Sequence, residues 1–280
     1  MRGPVNAHVH LELPTMASVA GQGLVPWLMS WRKDDPARRD VAIANAQAVS
    51  AAGTAAVIDI GNLGVGGEAM HLAGLDGLAF TEVFGFDQPH IADEVPHATP
   101  HAPYSTHADT IRCVAARGEP WSIHCDEDPA ERAFLLDGTG PWPDVLRASK
   151  RDLSHWRTPG TTPVRWLDSL GVLGPNTLLV HCTLTTYADL ELIAARGCTI
   201  CICPRSNLHI TGRLPDVLAM FDAGVRVLIG TDSLISCPDL DVRNELPVLR
   251  DAFRGVPRSR WERCLHEDAW AFLDQAGAGA

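Results

Sequence analysis

The sequence predicts a (β/α)8 barrel of the α/β class, residues 1–280 forming one domain, and three observations carry that prediction. Short apolar runs alternate with helix-patterned stretches along the whole chain, as in βα units wound around a parallel sheet. A length of 280 residues is usual for one such barrel. Residues with metal-ligand chemistry stand at the ends of both the first and the last apolar run. Those two strands are neighbours in a closed barrel and would be far apart in many open sheets.

The first element is a short apolar strand within Met1–Leu13 (MRGPVNAHVHLEL) that ends in His8-x-His10. Imidazoles at i and i+2 share one side of a strand. An alanine-rich helix is expected from about Pro36 to Ala52, with proline at its start and Gly53 past its end. Gly53–Gly61 then reads as a buried parallel strand, apolar on both faces. Gly77–Gly85 is the next strand and Thr106–Gly118 a later helix. Between them, Gly85–Thr99 leaves room for only a turn, so the third βα unit is shortened. Pro96–Ser105 must serve as the fourth strand in spite of three prolines. Trp121–Cys125, Thr177–Cys182, Cys198–Pro204 and Val225–Asp232 are the remaining strands. Tyr187–Arg196 and Leu214–Ala223 carry helical patterns, and a final helix runs over about Trp261–Gln275.

Composition narrows the function classes. The chain is 46% hydrophobic, enough for a large core, and its net charge of −11 argues against a nucleic-acid surface. Only Lys33 and Lys150 are lysines, an arginine bias that suits genome composition better than function. Arg2-Gly3-Pro4 leads straight into the first strand without a secretory pattern. No apolar run reaches membrane-spanning length. Cys198 and Cys201 have CxxC spacing, but i and i+3 on a strand face opposite sides. The eight cysteines therefore read as reduced core residues of a cytoplasmic protein. The glycine-rich Gly61–Gly67 lacks the lysine of a phosphate-binding loop and reads as a flexible βα turn.

The chemistry lies in residues at strand ends: His8, His10, His124 in WSIHCDE and Asp232 in VLIGTD. Three imidazoles and a carboxylate suit one divalent ion, Zn2+ or Fe2+, with a position left for water. Such an ion lowers the pKa of its water from about 15.7 to around 7. Glu127, three residues after His124, is placed to carry that water's proton to a substrate. The plainer reading of Asp126-Glu127-Asp128 is an acidic loop with an N-cap at Asp128 before Pro129. His181 in TLLVHC shares the strand-end placement and either orients the water or binds a second ion. Neither lysine is near a strand end to bridge two ions, which favours a single ion.

This pattern resembles the amidohydrolase superfamily, with HxH on strand 1, histidines on strands 5 and 6 and aspartate on strand 8. The His124-Cys125-Asp126-Glu127 spacing is similar to the branch of cytosine and nucleoside deaminases and chlorohydrolases. Asn6–Leu13, Glu82–Phe86, Pro100–Ser105, Cys203–Asn207 and Gly230–Leu246 look like aminodeoxyfutalosine and related adenosine-type deaminases. The resemblance runs from about Asn6 to Leu273. It implies that His8, His10, His124 and Asp232 hold one zinc or iron, with Asp232 also accepting the water's proton. Glu127 would shuttle protons, His181 would hydrogen-bond the attacking hydroxide, and His101 would contact the substrate. The small β-sandwich usual in the branch is missing from this reading, a loss that a homodimer would offset.

The implied activity is hydrolytic deamination of an aminopurine nucleoside, 6-amino-6-deoxyfutalosine being the first guess, with no nucleic-acid or membrane partner. Removal of a halide or alkylamine from an aromatic ring, or a non-catalytic nucleoside-binding or metal-binding barrel, are the alternatives. His101 reads equally well as a loop residue among prolines, and Arg205 as a substrate contact or a buried salt bridge. Trp27, Trp31, Trp142 and Trp156 lie in loops where each would stack on a base or pack as an ordinary aromatic.

Overall fold

The structure, a computed structural model, describes residues 2–30, 38–87, 89, 95–154, 156–275 and 277. Eight parallel strands follow one another in chain order. They are β1 (Val5–Val9), β2 (Ala56–Gly61), β3 (Asp76–Val83), β4 (Ala98–Pro100), β5 (Trp121–Cys125), β6 (Thr177–His181), β7 (Thr199–Ile202) and β8 (Arg226–Ile229). Continuous ladders join β1 to β4 and β5 to β8. At one seam the backbone N–H of His124 donates to the carbonyl of His101 (2.9 Å), and Thr99 Oγ1 accepts from Ser122 N (2.7 Å). At the other, Thr231 N and Asp232 N donate to His8 O, and His10 N donates to Asp232 O (3.1 Å). The ring is thereby closed, with the first strand against the last as expected.

Gly230 makes the second seam close. A β-carbon there would lie 2.7 Å from His8 N and 2.8 Å from His8 Cβ. Only glycine lets β8 approach the strand that carries the histidines.

Alternation along the strands separates two apolar layers. Ala56, Ile58 and Ile60 of β2 cluster with Leu178, Val180, Cys201 and Leu228 inside the ring, and Trp270 and Phe272 of the last helix join them. Val57 instead packs outward with Ala42, Ala46 and Met70 of the surrounding helices. In β1 the alternation breaks. Val5 and Ala7 belong to the inner layer, but Val9 and Leu11 belong to the outer one. The pairing of β1 with β2 explains this, stepping from Asn6↔Val57 to Val9↔Asp59. Three residues of β1 oppose two of β2, a bulge that turns His8 and His10 inward after two inward apolar residues.

Several elements are shorter than their sequence patterns suggest. The fourth strand keeps only Ala98–Pro100, because Pro96, Pro100 and Pro103 remove ladder donors around it. No helix lies between β3 and β4 among the described residues; positions 88 and 90–94 fall outside them. The helix expected from Pro36 is described over Arg38–Ala51, positions 31–37 lying outside the described residues. Tyr187–Arg196 has the expected bounds, capped by Thr186 and ended by Gly197 at φ 72°. The last helix is two, Arg258–Leu265 and Glu267–Gln275, broken where His266 leaves helical geometry (φ −119°, ψ −82°). Gly66 and Gly67, read as part of a loose turn, instead open the helix Gly66–Ala73. None of the eight cysteines, all among the described residues, is in a disulfide, and seven are buried.

Candidate active site

The C-terminal ends of the strands converge on one cavity whose lining includes His10, Glu82, His101, His124, Glu127, His181 and Asp232. His8, fully buried, packs against the lining residues His10 and His124. The His8 ring centroid is 4.9 Å from that of His10, 5.0 Å from His124 and 5.8 Å from His181. Asp232 Oδ1 lies 3.5 Å from His10 Nε2 and 3.9 Å from His8 Nε2. All five strand-end residues predicted as ligand or partner groups are thus brought together.

Strand alternation alone does not deliver all of them. Val180 points inward, so its successor His181 would point outward on a regular strand. His181 and Cys182 both adopt left-handed backbone (φ 74° and 49°), which returns the imidazole to the cavity. Asp232 sits at φ 68° and Asp126 at φ 54°. Such conformations cost of order 1–3 kcal/mol each and persist where the surroundings enforce them.

The residues around the histidines set their chemistry. His124 Nδ1 donates to the carbonyl of His101 (2.9 Å), leaving Nε2 toward the cavity. His101, expected to meet substrate, therefore lines the cavity and also orients a neighbour. Its own Nδ1 bonds Ser105 Oγ at 2.6 Å. Asp232 Oδ2 accepts from Ser206 Oγ (2.5 Å) and Ser236 Oγ (3.1 Å), which leaves Oδ1 facing the imidazoles. His181 Nδ1 faces Asn207 Nδ2 at 3.0 Å, and its Nε2 faces Glu127 Oε2 at 3.7 Å.

Burial decides the charges. Full burial, reinforced by the neighbouring imidazoles, holds His8 well below the ordinary histidine range, and His181 is lowered in the same way. Both are neutral at physiological pH. Burial first, then the carboxylates Asp232, Glu131 and Asp128, push Glu127 well above the usual carboxylate range. Glu131, at the first turn of the helix Pro129–Asp137, is raised to about 8 by burial and accepts the Glu127 backbone N–H at 3.0 Å. Asp128 caps that helix, accepting from Ala130 N at 2.8 Å, as its position before Pro129 suggested.

A divalent cation fits this donor set. Neither nitrogen of the fully buried His8 has a hydrogen-bond partner among the described residues. An imidazole stranded in this way is costly, and the neutral rings with a carboxylate oxygen beside them are the groups a borderline divalent ion takes up. His8 groups with His10 and Asp232, and also with His124 and His181, with ligand atoms within 4.8 Å of one another.

Some expectations need correction. Arg205 is absent from the cavity lining and takes the salt-bridge alternative. Its Nε donates to Glu245 Oε1 (2.6 Å) and its Nη1 to Asp239 Oδ2 (2.9 Å), while Nη2 reaches the Asp239 and Asp241 carbonyls. Its donors are committed to these partners, so it is not available to substrate. Trp27, on the helix Leu24–Ser30, does line the cavity. Trp142 instead stacks on Tyr104 (4.0 Å) and Trp156 on Phe134 (4.9 Å), the packed fate. Trp31 lies outside the described residues.

Sequence reasoning passed over Glu82, Asn62, Tyr104, Ser206 and Asn207. Glu82 is buried in the cavity wall, 3.5 Å from His124 Nδ1, and accepts from Asn62 Nδ2 at 2.8 Å. A charged residue inside the apolar run Gly77–Gly85 was the available signal for it.

Comparison with known proteins agrees with this architecture. The sequence model of the amidohydrolase family matches residues 2–260. The aminodeoxyfutalosine deaminase of Deinococcus radiodurans is 35% identical over 168 residues, covering 56% of this chain and 40% of that protein. The 5-methylthioadenosine/S-adenosylhomocysteine deaminase of Nitratidesulfovibrio vulgaris is 27% identical over 281 residues, covering 88% of this chain and 58% of that one. The chain thus spans about half the length of these curated relatives. Helicobacter pylori aminofutalosine deaminase in complex with methylthio-coformycin superposes with a TM-score of 0.78 at 19% identity, covering 97% of this chain and 74% of that one. A zinc-bound adenosine deaminase from Xanthomonas campestris gives 0.75 at 22% identity, covering 99% and 67%. At such identities the likeness is one of fold. With a matched region from Arg2 to Arg260 and a closed barrel carrying the histidine cluster, the chain belongs to the amidohydrolase family.

Proposed function

We propose that this chain catalyses the hydrolytic deamination of an adenine-type nucleoside, assisted by one divalent metal ion. The observation that carries the reading is the convergence of four imidazoles, a buried glutamate and an aspartate, with both nitrogens of His8 lacking a hydrogen-bond partner among the described residues. The names of the curated relatives support the substrate class. Aminodeoxyfutalosine remains the first substrate to try.

His8, His10, His124 and Asp232 would hold the ion. When bound, it supplies Lewis acidity that makes water a nucleophile near neutral pH, zinc and iron both being suited. Everything else falls to the side chains. Glu127 holds a proton in the resting cavity because burial and its acidic neighbours disfavour its anion. It donates that proton to the ring nitrogen next to the amine-bearing carbon as water's oxygen bonds that carbon. Asp232 Oδ1, with its other oxygen fixed by Ser206 and Ser236, takes the proton that water releases. His181 orients the incoming oxygen. As the tetrahedral carbon collapses to the carbonyl, its hydroxyl proton passes through the ionised Glu127 to the amine, ammonia leaves, and the proton held by Asp232 returns to Glu127. Substrate amine and water become carbonyl and ammonia, with no other reactant.

Ammonia release by zinc-loaded protein tests this, using aminodeoxyfutalosine, adenosine, 5′-deoxyadenosine, methylthioadenosine and S-adenosylhomocysteine. Turnover on one or more, abolished by Glu127→Gln, supports the reading. Silence across the panel from folded protein with one ion bound per chain overturns it.

A further inference from the structure

We infer that Asn207 sets the tautomer of His181 and so makes that histidine a hydrogen-bond donor to the cavity rather than a metal ligand. Histidine carries one proton when neutral, and the partner of one ring nitrogen decides where it resides. His181 is buried, and a ring nitrogen that accepts a hydrogen bond carries no proton, so the partner of Nδ1 decides between the two tautomers. The side-chain nitrogen of Asn207, itself fully buried, sits 3.0 Å from His181 Nδ1. An amide nitrogen only donates, so Nδ1 must accept and the proton resides on Nε2. That nitrogen points at the cavity, 3.7 Å from Glu127 Oε2. A protonated Nε2 cannot coordinate a cation, although His181 groups by distance with His8 and His124.

The placement of Asn207 is a product of the fold. It stands in the first turn of the helix Pro204–Thr211, which follows β7 and therefore lies between the β6 end that carries His181 and the β8 end that carries Asp232. Its neighbour Ser206 donates to Asp232 Oδ2. Two consecutive residues thus fix the groups on both flanking strands, one by setting a proton and one by orienting a carboxylate. The backbone N–H of Asn207 donates to Cys203 O at 2.8 Å, which ties this residue's backbone to the end of β7. Asn207 acts through His181 and is a positioning residue.

The inference rests on His181 being a site residue of the proposed deaminase, but its primary readout needs no substrate. Long-range 15N–1H correlation spectra of zinc-loaded protein carrying 15N-histidine report which ring nitrogen of His181 is protonated, the signal being assigned by its loss in His181→Gln. Wild-type protein should show the Nε2–H form. Asn207→Asp presents an acceptor to Nδ1 and should move the proton to it, lowering kcat about 10–100-fold, as loss of an outer partner typically does, while KM changes little. Asn207→Ser, which retains a donor, should keep the Nε2–H form and part of kcat. An Nδ1–H or zinc-coordinated His181 in wild type would overturn the assignment, as would an unchanged tautomer in Asn207→Asp. A protein that turns over none of the nucleosides yet shows the expected tautomers would sink the deaminase reading alone.

Discussion

Two buried charge clusters share the start of the helix Pro204–Thr211, and they are built on opposite terms. Behind it, Arg205 and Glu245 saturate each other: the carboxylate of Glu245 accepts from Arg205 N (2.8 Å) and Nε (2.6 Å), and Asp239 takes the rest of the guanidinium. Burial raises Glu245 only to about 7, because Arg205 works against the shift. In front of the helix, two of the buried cavity groups, Glu127 and His8, lack such saturation. Glu127 faces Asp232, Glu131 and Asp128 without a cation, and His8 has no partner for either nitrogen among the described residues. Adjacent residues of one helix serve a finished ionic network and an unfinished one. The difference teaches that unsatisfied valence, more than burial or charge, distinguishes the groups available to a ligand from those that hold the fold.

Substitutions should separate the two clusters. The largest effect is expected from Glu127→Gln, which should lower turnover by about 10²–10⁴-fold while leaving the denaturation midpoint at or above that of wild type, since a buried acid is removed. Steady-state ammonia release and urea titration read the two sides together, and a large loss of stability would break the contrast. Arg205→Met should do the reverse. Glu245 would be stranded without its cation, at a cost of about 3–5 kcal/mol in urea unfolding. The double change with Glu245→Leu should recover much of that loss, as replacing the whole pair by apolar groups is often neutral.

Gly230→Ala tests the seam that holds His8. It should cost about 1–3 kcal/mol as β8 is forced off β1, and zinc retention during dialysis should weaken in parallel, because the histidine strand moves. Unchanged stability would mean that the close approach at His8 is relaxed in solution.

Glu131 offers a smaller, pH-dependent test. Its pKa in the folded chain, about 8, is above the ordinary glutamate value of 4.5, so the folded state holds the proton more tightly than the unfolded one. Its stabilising contribution is complete below about pH 4.5 and is lost as pH rises toward 8, with a slope of at most about 1.4 kcal/mol per pH unit. Glu131→Gln should flatten that fall in a pH series of urea midpoints and still accept the Glu127 N–H. An identical slope in both proteins would show that Glu131 is ionised in the fold. The smallest effect belongs to the exposed pair Arg258 and Glu262, 3.1 Å apart. Replacing Arg258 by alanine should change stability by less than about 0.5 kcal/mol, a baseline for the others.

Much was legible in the sequence because it depends on local pattern. Apolar runs marked the strands because a parallel barrel strand is buried on both faces, so it needs no alternation and is read by its length and flanking glycines. His8, His10, His124, Glu127, His181 and Asp232 were recognisable as a set because each stands at a strand end, where a barrel gathers its loops. Asp128 declared itself by preceding Pro129. Three features were decided only by the fold. The bulge in β1 that turns both histidines inward depends on how β1 pairs with β2, and pairing has no local code. The left-handed backbone at His181 and Asp232 is strain imposed by the surrounding hydrogen bonds, so no residue type announces it. The roles of Arg205, Ser206 and Asn207, adjacent in sequence, diverge because a helix start presents successive residues to different neighbours: one to a saturated salt bridge, the next to Asp232, the third to His181. Sequence determines which chemical groups reach the rim of the barrel. Which of them are satisfied, and which are left open for a ligand, is a matter of three-dimensional neighbours.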